Sequence, residues 1–231
     1  MAHAKERNLK QAPISEAVID LQVKTRSDFA SYVPALRTAF KGSFDTVGEQ
    51  VAEQIGRRGL IFPETPNDEA VQVSEMGFSF SKLRPYTSWE HVRDSARRFW
   101  AIYRSVVDVE IVNRIGVRYI NQFRLSSDQR VADRLTAPPP VPETDEPLEV
   151  TSTLSRLLIQ DRKLAISARV FYVCSVDDSG TLVTIDVDAF KPGEFDPETD
   201  QMWQTLEELR RMKNRIFFGS ITETAAREFD K

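Results

Sequence analysis

The segment NRIGVRYINQFRL, Asn113–Leu125, alternates with period two. Its odd positions carry Ile115, Val117, Tyr119, Phe123 and Leu125, and its even positions carry Arg114, Gly116, Arg118, Ile120, Gln122 and Arg124. Successive side chains of an extended chain point to opposite faces, so the segment reads as a long strand with one face for a core and one face that attracts anions. Whether those anions are the protein's own carboxylates or those of a ligand decides most of what can be inferred about function.

Working outward, PISEAVIDLQV (13–23) sets Ala17, Ile19, Leu21 and Val23 against Glu16, Asp20 and Gln22, a second half-buried strand. Ser27 is placed to cap a helix that carries Phe29, Tyr32, Val33, Leu36 and Phe40 at helical spacing, with Pro34 weakening its middle. Between Gly42 and Ala70 the pattern fades; a helical turn over Val47–Ile55 and a loop through PETPND are expected there as an insertion. VQVSEMGFSFSKL (71–83) returns to strand character. Thr87 and Glu90 have capping-box spacing before the stripe Trp89, Val92, Ala96, Phe99, Trp100, Tyr103 and Val107, which leads into the arginine-bearing strand.

Downstream, five prolines and several carboxylates make 126–149 an irregular loop. Its PPPVP can serve as a polyproline ligand or lie solvated. Strands are expected at 150–159, 165–176 and 181–190, the last two joined by the turn DDSG. Asp196 and Pro197 have the form of a cap and first residue of a helix that points Trp203, Leu206, Leu209, Met212 and Ile216 inward. Gly219 would break that helix, and Ser220 with Glu223 would restart a short one. Read together, the elements predict an α+β fold: a curved, mostly antiparallel sheet with helices packed on one face. One domain is expected over 1–231, with a mobile N-terminal tail (1–12) and the proline-rich loop (126–149).

The 231 residues carry 31 basic and 35 acidic side chains, a net charge of -4, which argues against strong binding to duplex nucleic acid. No apolar run approaches the ~20 residues that cross a bilayer, and the opening MAHAKERNLKQ does not resemble a signal peptide, so a cytoplasmic protein is expected. The single cysteine, Cys174, shares a strand face with Ile166, Ala168, Val170, Tyr172 and Val176 and reads as a small buried hydrophobe. Two histidines, His3 in the tail and His91 in the first turn of a helix, leave little material for a histidine-based catalytic or zinc site. Phosphate loops, dinucleotide fingerprints, calcium loops and kinase signatures do not occur, and no cofactor is expected.

What remains is an array of charges at period two: Glu16 and Asp20, then Arg114, Arg118 and Arg124, then Arg169, then Asp186 and Asp188. Carboxylates of one strand can pair with arginines of the next. Alternatively, Arg114 and Arg118 flank a gap at Gly116 into which two guanidinium forks lean to hold a small anion such as phosphate, with Arg124 and Arg169 extending the face. Gly116 also fits a bulge or a closely packed neighbour. Asp186 and Asp188 are weak candidates for a divalent cation.

APISEAVIDLQV (12–23), RIGVRYINQF (114–123) and NRIFFGSITE (214–223), in that order, resemble a sporadically distributed family of uncharacterised bacterial proteins, and RIGVRYIN is the most specific of the three. The resemblance implies an accessory component of a bacterial defence or toxin-antitoxin locus; it implies no catalytic residue. A non-enzymatic interaction protein with a protein partner or a homo-oligomeric state is therefore expected, the alternative being a nucleotide- or phosphate-binding sensor or hydrolase that uses the arginine-lined face.

Overall fold

The structure, a computed structural model, describes residues 2–44, 47–52, 57–63, 68–140, 145 and 150–231. In chain order its elements are β1 (Ile14–Thr25), α1 (Phe29–Phe40), β2 (Gly48–Ala52), β3 (Arg57–Phe62), β4 (Glu69–Ser74), β5 (Gly77–Leu83), α2 (Trp89–Val106), β6 (Val109–Leu125), β7 (Ser152–Asp161), β8 (Ile166–Asp177), β9 (Gly180–Phe195), α3 (Gln201–Ser220) and α4 (Glu223–Glu228). The strands hydrogen-bond in the order β2-β3-β4-β5-β1-β6-β9-β8-β7, an open antiparallel sheet, and the fold is α+β. Internal contacts group the chain into two compact units: Glu16–Arg118 with Phe190–Leu209, and Met1–Ser15 with Tyr119–Ala189 and Arg210–Lys231.

The first unit is organised by aromatic rings. Phe40 of α1 stacks on Phe62 of β3 with ring centroids 4.5 Å apart, Phe99 of α2 lies against Phe44 and Phe80, and Phe78 of β5 meets Trp100 and Tyr103 of α2. Ala17, Ile19, Leu21 and Val23 of β1 are buried, as their alternation requires. The cap of α1 is Asp28, whose carboxylate accepts from the Ala30 N–H, one residue beyond the expected Ser27. The helix also continues through Pro34, because Phe29, Leu36 and Phe40 are buried along it. At α2 the cap is Ser88, not Thr87; its hydroxyl accepts from the His91 N–H.

Two readings of this unit change. Residues 48–52 form strand β2, paired with β3, in place of a helical turn; 53–56, and 64–67 of the PETPND loop, lie outside the described residues. The run 71–83 is a hairpin, β4 with β5, because Gly77 takes a φ of +136° that turns the chain after Met76.

In the second unit, β7, β8 and the first part of β9 bury Ile166, Ala168, Val170, Cys174, Val183, Ile185 and Val187. The residues 210–220 of α3 lie on this face, where Tyr172 and Ser220 hydroxyls meet at 2.7 Å. At the start of α3, within the first unit, Asp196 and Pro197 precede the helix by a turn instead of opening it: the Asp196 carboxylate accepts from the Glu198 N–H, and the helix begins at Gln201. Gly219 stays inside the helix, and Thr222, not Ser220, caps α4. The N-terminal residues make specific contacts with the C-terminal segment. Ala4 is buried and donates its N–H to the Ile221 carbonyl, Arg7 pairs with Glu223 and Asp230, and the Gln11 N–H reaches the Phe229 carbonyl. The proline-rich loop is anchored at its start as well: Arg134 and Leu135 are buried, and Arg134 pairs with Glu228 at 2.6 Å. Val141–Thr144 and 146–149, which include the last two residues of PPPVP, lie outside the described residues.

A Cβ at Gly77 would sit 2.2 Å from the Leu21 carbonyl oxygen, in a backbone conformation that L-residues rarely adopt. Gly77→Ala is therefore expected to cost about 3 kcal/mol, read as a lower urea midpoint at unchanged slope. An unchanged midpoint would contradict the hairpin geometry.

Candidate functional site

Burial along β6 follows the alternation of its sequence. Ile115, Val117, Tyr119, Asn121 and Leu125 are buried, Arg118 and Arg124 are exposed, and Arg114 lies between. Asn121 can occupy the apolar face because its amide donates to the Ile185 carbonyl at 3.1 Å.

In the first unit, Arg114 lies down on the sheet. Its Nη1 donates to Asp20 Oδ2 at 2.5 Å, and its guanidinium carbon is 4.7 Å from the centre of the Phe190 ring. The Arg114 side chain is only 13% exposed and that of Asp20 34%. Gly116 makes this possible: a Cβ there would come within 2.7 Å of Arg114 Nη1. The gap expected between Arg114 and Arg118 for an external anion is thus occupied by the side chain of Arg114 itself. Arg118 is exposed two residues beyond Gly116 and has interactions of its own.

In the second unit the other two candidate arginines are also engaged. Arg169 donates through Nε and Nη2 to Asp188 Oδ2, the shorter contact being 2.7 Å, and Arg124 donates to Asp177 at 2.7 Å. That hydrogen bond, together with the Ser179 N–H, holds the Asp177 carboxyl below the usual carboxylate range, and the Arg124 guanidinium is raised by the same contact. Asp186 is buried, while Asp188 is occupied by Arg169. Among the described residues no group of three or more His, Cys, Asp or Glu side chains converges as a metal would require, so the cation candidates Asp186 and Asp188 gain no further ligands. Within each unit the charges are laid out in pairs: Arg114 in the first, and Arg124 and Arg169 in the second, each hold a carboxylate that an anionic ligand would have to displace.

Two groups outside this face went unread in the sequence. Glu69, at the start of β4 and 1% exposed, accepts from Ser95 Oγ at 2.6 Å and Arg98 Nη2 at 3.0 Å, with His91 Nε2 at 3.2 Å. Serine and histidine both address Oε1 of the carboxylate. The hydroxyl proton is spent on Glu69, so histidine does not act as a base on serine, and the cluster fastens α2 to β4. The positions 91, 95 and 98 share one face of a helix, a spacing visible in the sequence, but their acidic partner sits in the stretch where the pattern fades.

Lys213 is the other. It falls on the buried stripe of α3, one turn beyond Leu209, and its Nζ stands 3.6 Å from the centre of the Tyr119 ring. Burial, with a smaller push from Arg210 against the pull of Glu6, drives its pKa down to about 7. The amine is enclosed against a ring and is not presented to solvent. Cys174 is buried as expected, and burial pushes its thiol up, away from nucleophilic use.

The chain matches no protein-family model, and it matches none of the curated proteins. Among the described residues no helix is long and apolar enough to cross a membrane.

Because Gly116 and Arg114 serve one contact, their effects should overlap. Arg114→Ala is expected to cost about 2 kcal/mol and Gly116→Ala about 1 kcal/mol, with the double variant falling short of the sum by about 1 kcal/mol in chemical denaturation. Strict additivity would show that Gly116 has another role.

The Lys213 proton leaves the folded protein near pH 7 but is held by the unfolded chain to about 10.5, so between these values the unfolded state binds more protons. The contribution of this group to stability therefore rises with pH across that window. Lys213→Met should raise stability at pH 7 by on the order of 1 kcal/mol and flatten the slope; destabilisation at pH 7 would show that the ammonium is favourably held.

Proposed function

We propose that the protein is a non-enzymatic interaction module that receives a partner polypeptide along the outer edge of β7. The observation that carries this reading is the edge itself. β7 is last in the strand order, and it exposes Leu154 and Leu158 at 69% and Leu157 at 46%. Among the described residues no strand pairs with its outer side; such an edge offers N–H and C=O groups to an extended chain, and natural proteins usually blunt it with lysine, proline or a bulge. STLSRLLIQD has none of the first two and runs unbroken against β8 over ten residue pairs. The paired guanidiniums of Arg114, Arg124 and Arg169 weigh against the alternative, a phosphate or nucleotide sensor. The resemblance to a sporadically distributed bacterial family favours an accessory role in a defence or toxin-antitoxin locus.

The reading is tested in two arms. Titration with inorganic phosphate, ATP and cyclic AMP should leave Tm unchanged, and a protein partner co-purified from the native host should be lost from Leu158→Lys while the melting curve is retained. A phosphate-dependent rise in Tm that Arg169→Lys abolishes would replace this reading with the sensor. A partner retained equally by Leu158→Lys would move the interaction to another surface.

A further inference from the structure

We infer that the chain seated on this edge is a second copy of the protein, the two β7 strands pairing antiparallel about a two-fold axis at Leu157. The inference rests on the reading of β7 as a docking edge and adds its occupant and register.

The hydrogen-bond phase of β7 comes first. The Val176 N–H donates to the Thr151 carbonyl, in the register that continues as Thr153 opposite Cys174 and Leu157 opposite Val170. Bonded and non-bonded pairs alternate along an antiparallel ladder, so the odd residues of β7 turn their N–H and C=O groups toward β8. The even residues, Ser152, Leu154, Arg156, Leu158 and Gln160, turn theirs outward. A partner strand must bond to those five.

A two-fold axis perpendicular to the sheet pairs residues that lie on the same face, which restricts the centre of symmetry to a residue rather than a gap between residues. Two centres keep nine of the ten β7 residues paired, Arg156 and Leu157. The first sets two arginines directly opposite each other, a destabilising arrangement. The second sets Leu157 opposite Leu157, Arg156 opposite Leu158, Ser155 opposite Ile159, Leu154 opposite Gln160 and Thr153 opposite Asp161. No like charges then face one another, because Arg156 and Asp161 are the only charges on the strand and lie on opposite faces. The Arg156 guanidinium already leans inward, 5.9 Å from the centre of the Phe171 ring, which leaves its aliphatic stem to cover the partner's Leu158. The outward-bonding phase and the charge pattern thus agree on one self-complementary register.

The register makes a geometric demand. Leu157 and its copy form a non-hydrogen-bonded pair, with Cα atoms about 4.5 Å apart, within the span of a disulfide. In a Cys174→Ser background, Leu157→Cys under mild oxidation should convert to a disulfide-linked dimer, while Leu154→Cys, which faces Gln160 of the second copy, should cross-link several-fold less. Light scattering should give a dimer for the wild type and a monomer with an unchanged circular-dichroism spectrum for Leu158→Lys. A wild-type protein that is monomeric up to its solubility limit, or a dimer in which Leu157→Cys cross-links no better than Leu154→Cys, overturns the inference. If the protein is monomeric but Leu158→Lys still releases a co-purified partner, the docking edge stands and only the identity of its occupant falls. If the partner is unaffected too, both fall.

Discussion

A guanidinium laid across a sheet needs an opposite charge to meet and a place where no side chain stands in its way. Arg114 has both: Asp20 on the neighbouring strand β1 and the bare backbone of Gly116 two residues along its own strand. Phe190 adds a ring face for the cation. The arrangement decides what β6 can be. With Arg114 folded down onto Asp20, the charged face of the strand is largely satisfied internally, and the odd face is free to bury Ile115, Val117 and Tyr119. A Cβ at residue 116 would press on the Arg114 guanidinium, which would have to shift on Asp20 to make room.

The same economy recurs in the second unit, where Arg169 takes Asp188 and Arg124 takes Asp177. Such pairs contribute modestly to stability, about 1 kcal/mol or less at exposed positions. The matching stops at the outer edge of β7. There exposed Leu154 and Leu158 flank Arg156, and the backbone groups of every second residue face outward.

Much of the fold was legible because burial follows period. Alternation located β1, β6, β8 and β9, and the helical stripe of Trp89, Val92, Ala96, Phe99 and Tyr103 located α2. What was missed has physical causes. The strands β2 and β3 are short and carry Gly48, Gly59 and few alternating apolar residues, so no period stands out. Caps shifted by one residue because adjacent oxygens compete: Ser27 with Asp28, and Thr87 with Ser88. The polar N-terminal segment resembles a tail in composition, and its partners Glu223 and Asp230 lie more than two hundred residues away. At the candidate site, the sequence placed Arg114, Gly116 and Arg118 on one face but could not tell which way the Arg114 side chain bends, and that direction separates a binding fork from an internal pair. Lys213 was legible in principle, since its spacing from Leu206 and Leu209 puts it on the buried stripe.

The central claim is that the arginine-bearing face is neutralised from within. A crystal structure determined from crystals soaked in concentrated phosphate tests it most directly. The account predicts Arg114 on Asp20, Arg169 on Asp188 and Arg124 on Asp177, with no phosphate bound among them. A phosphate held by Arg114 and Arg118, with Asp20 displaced from the guanidinium, would contradict it.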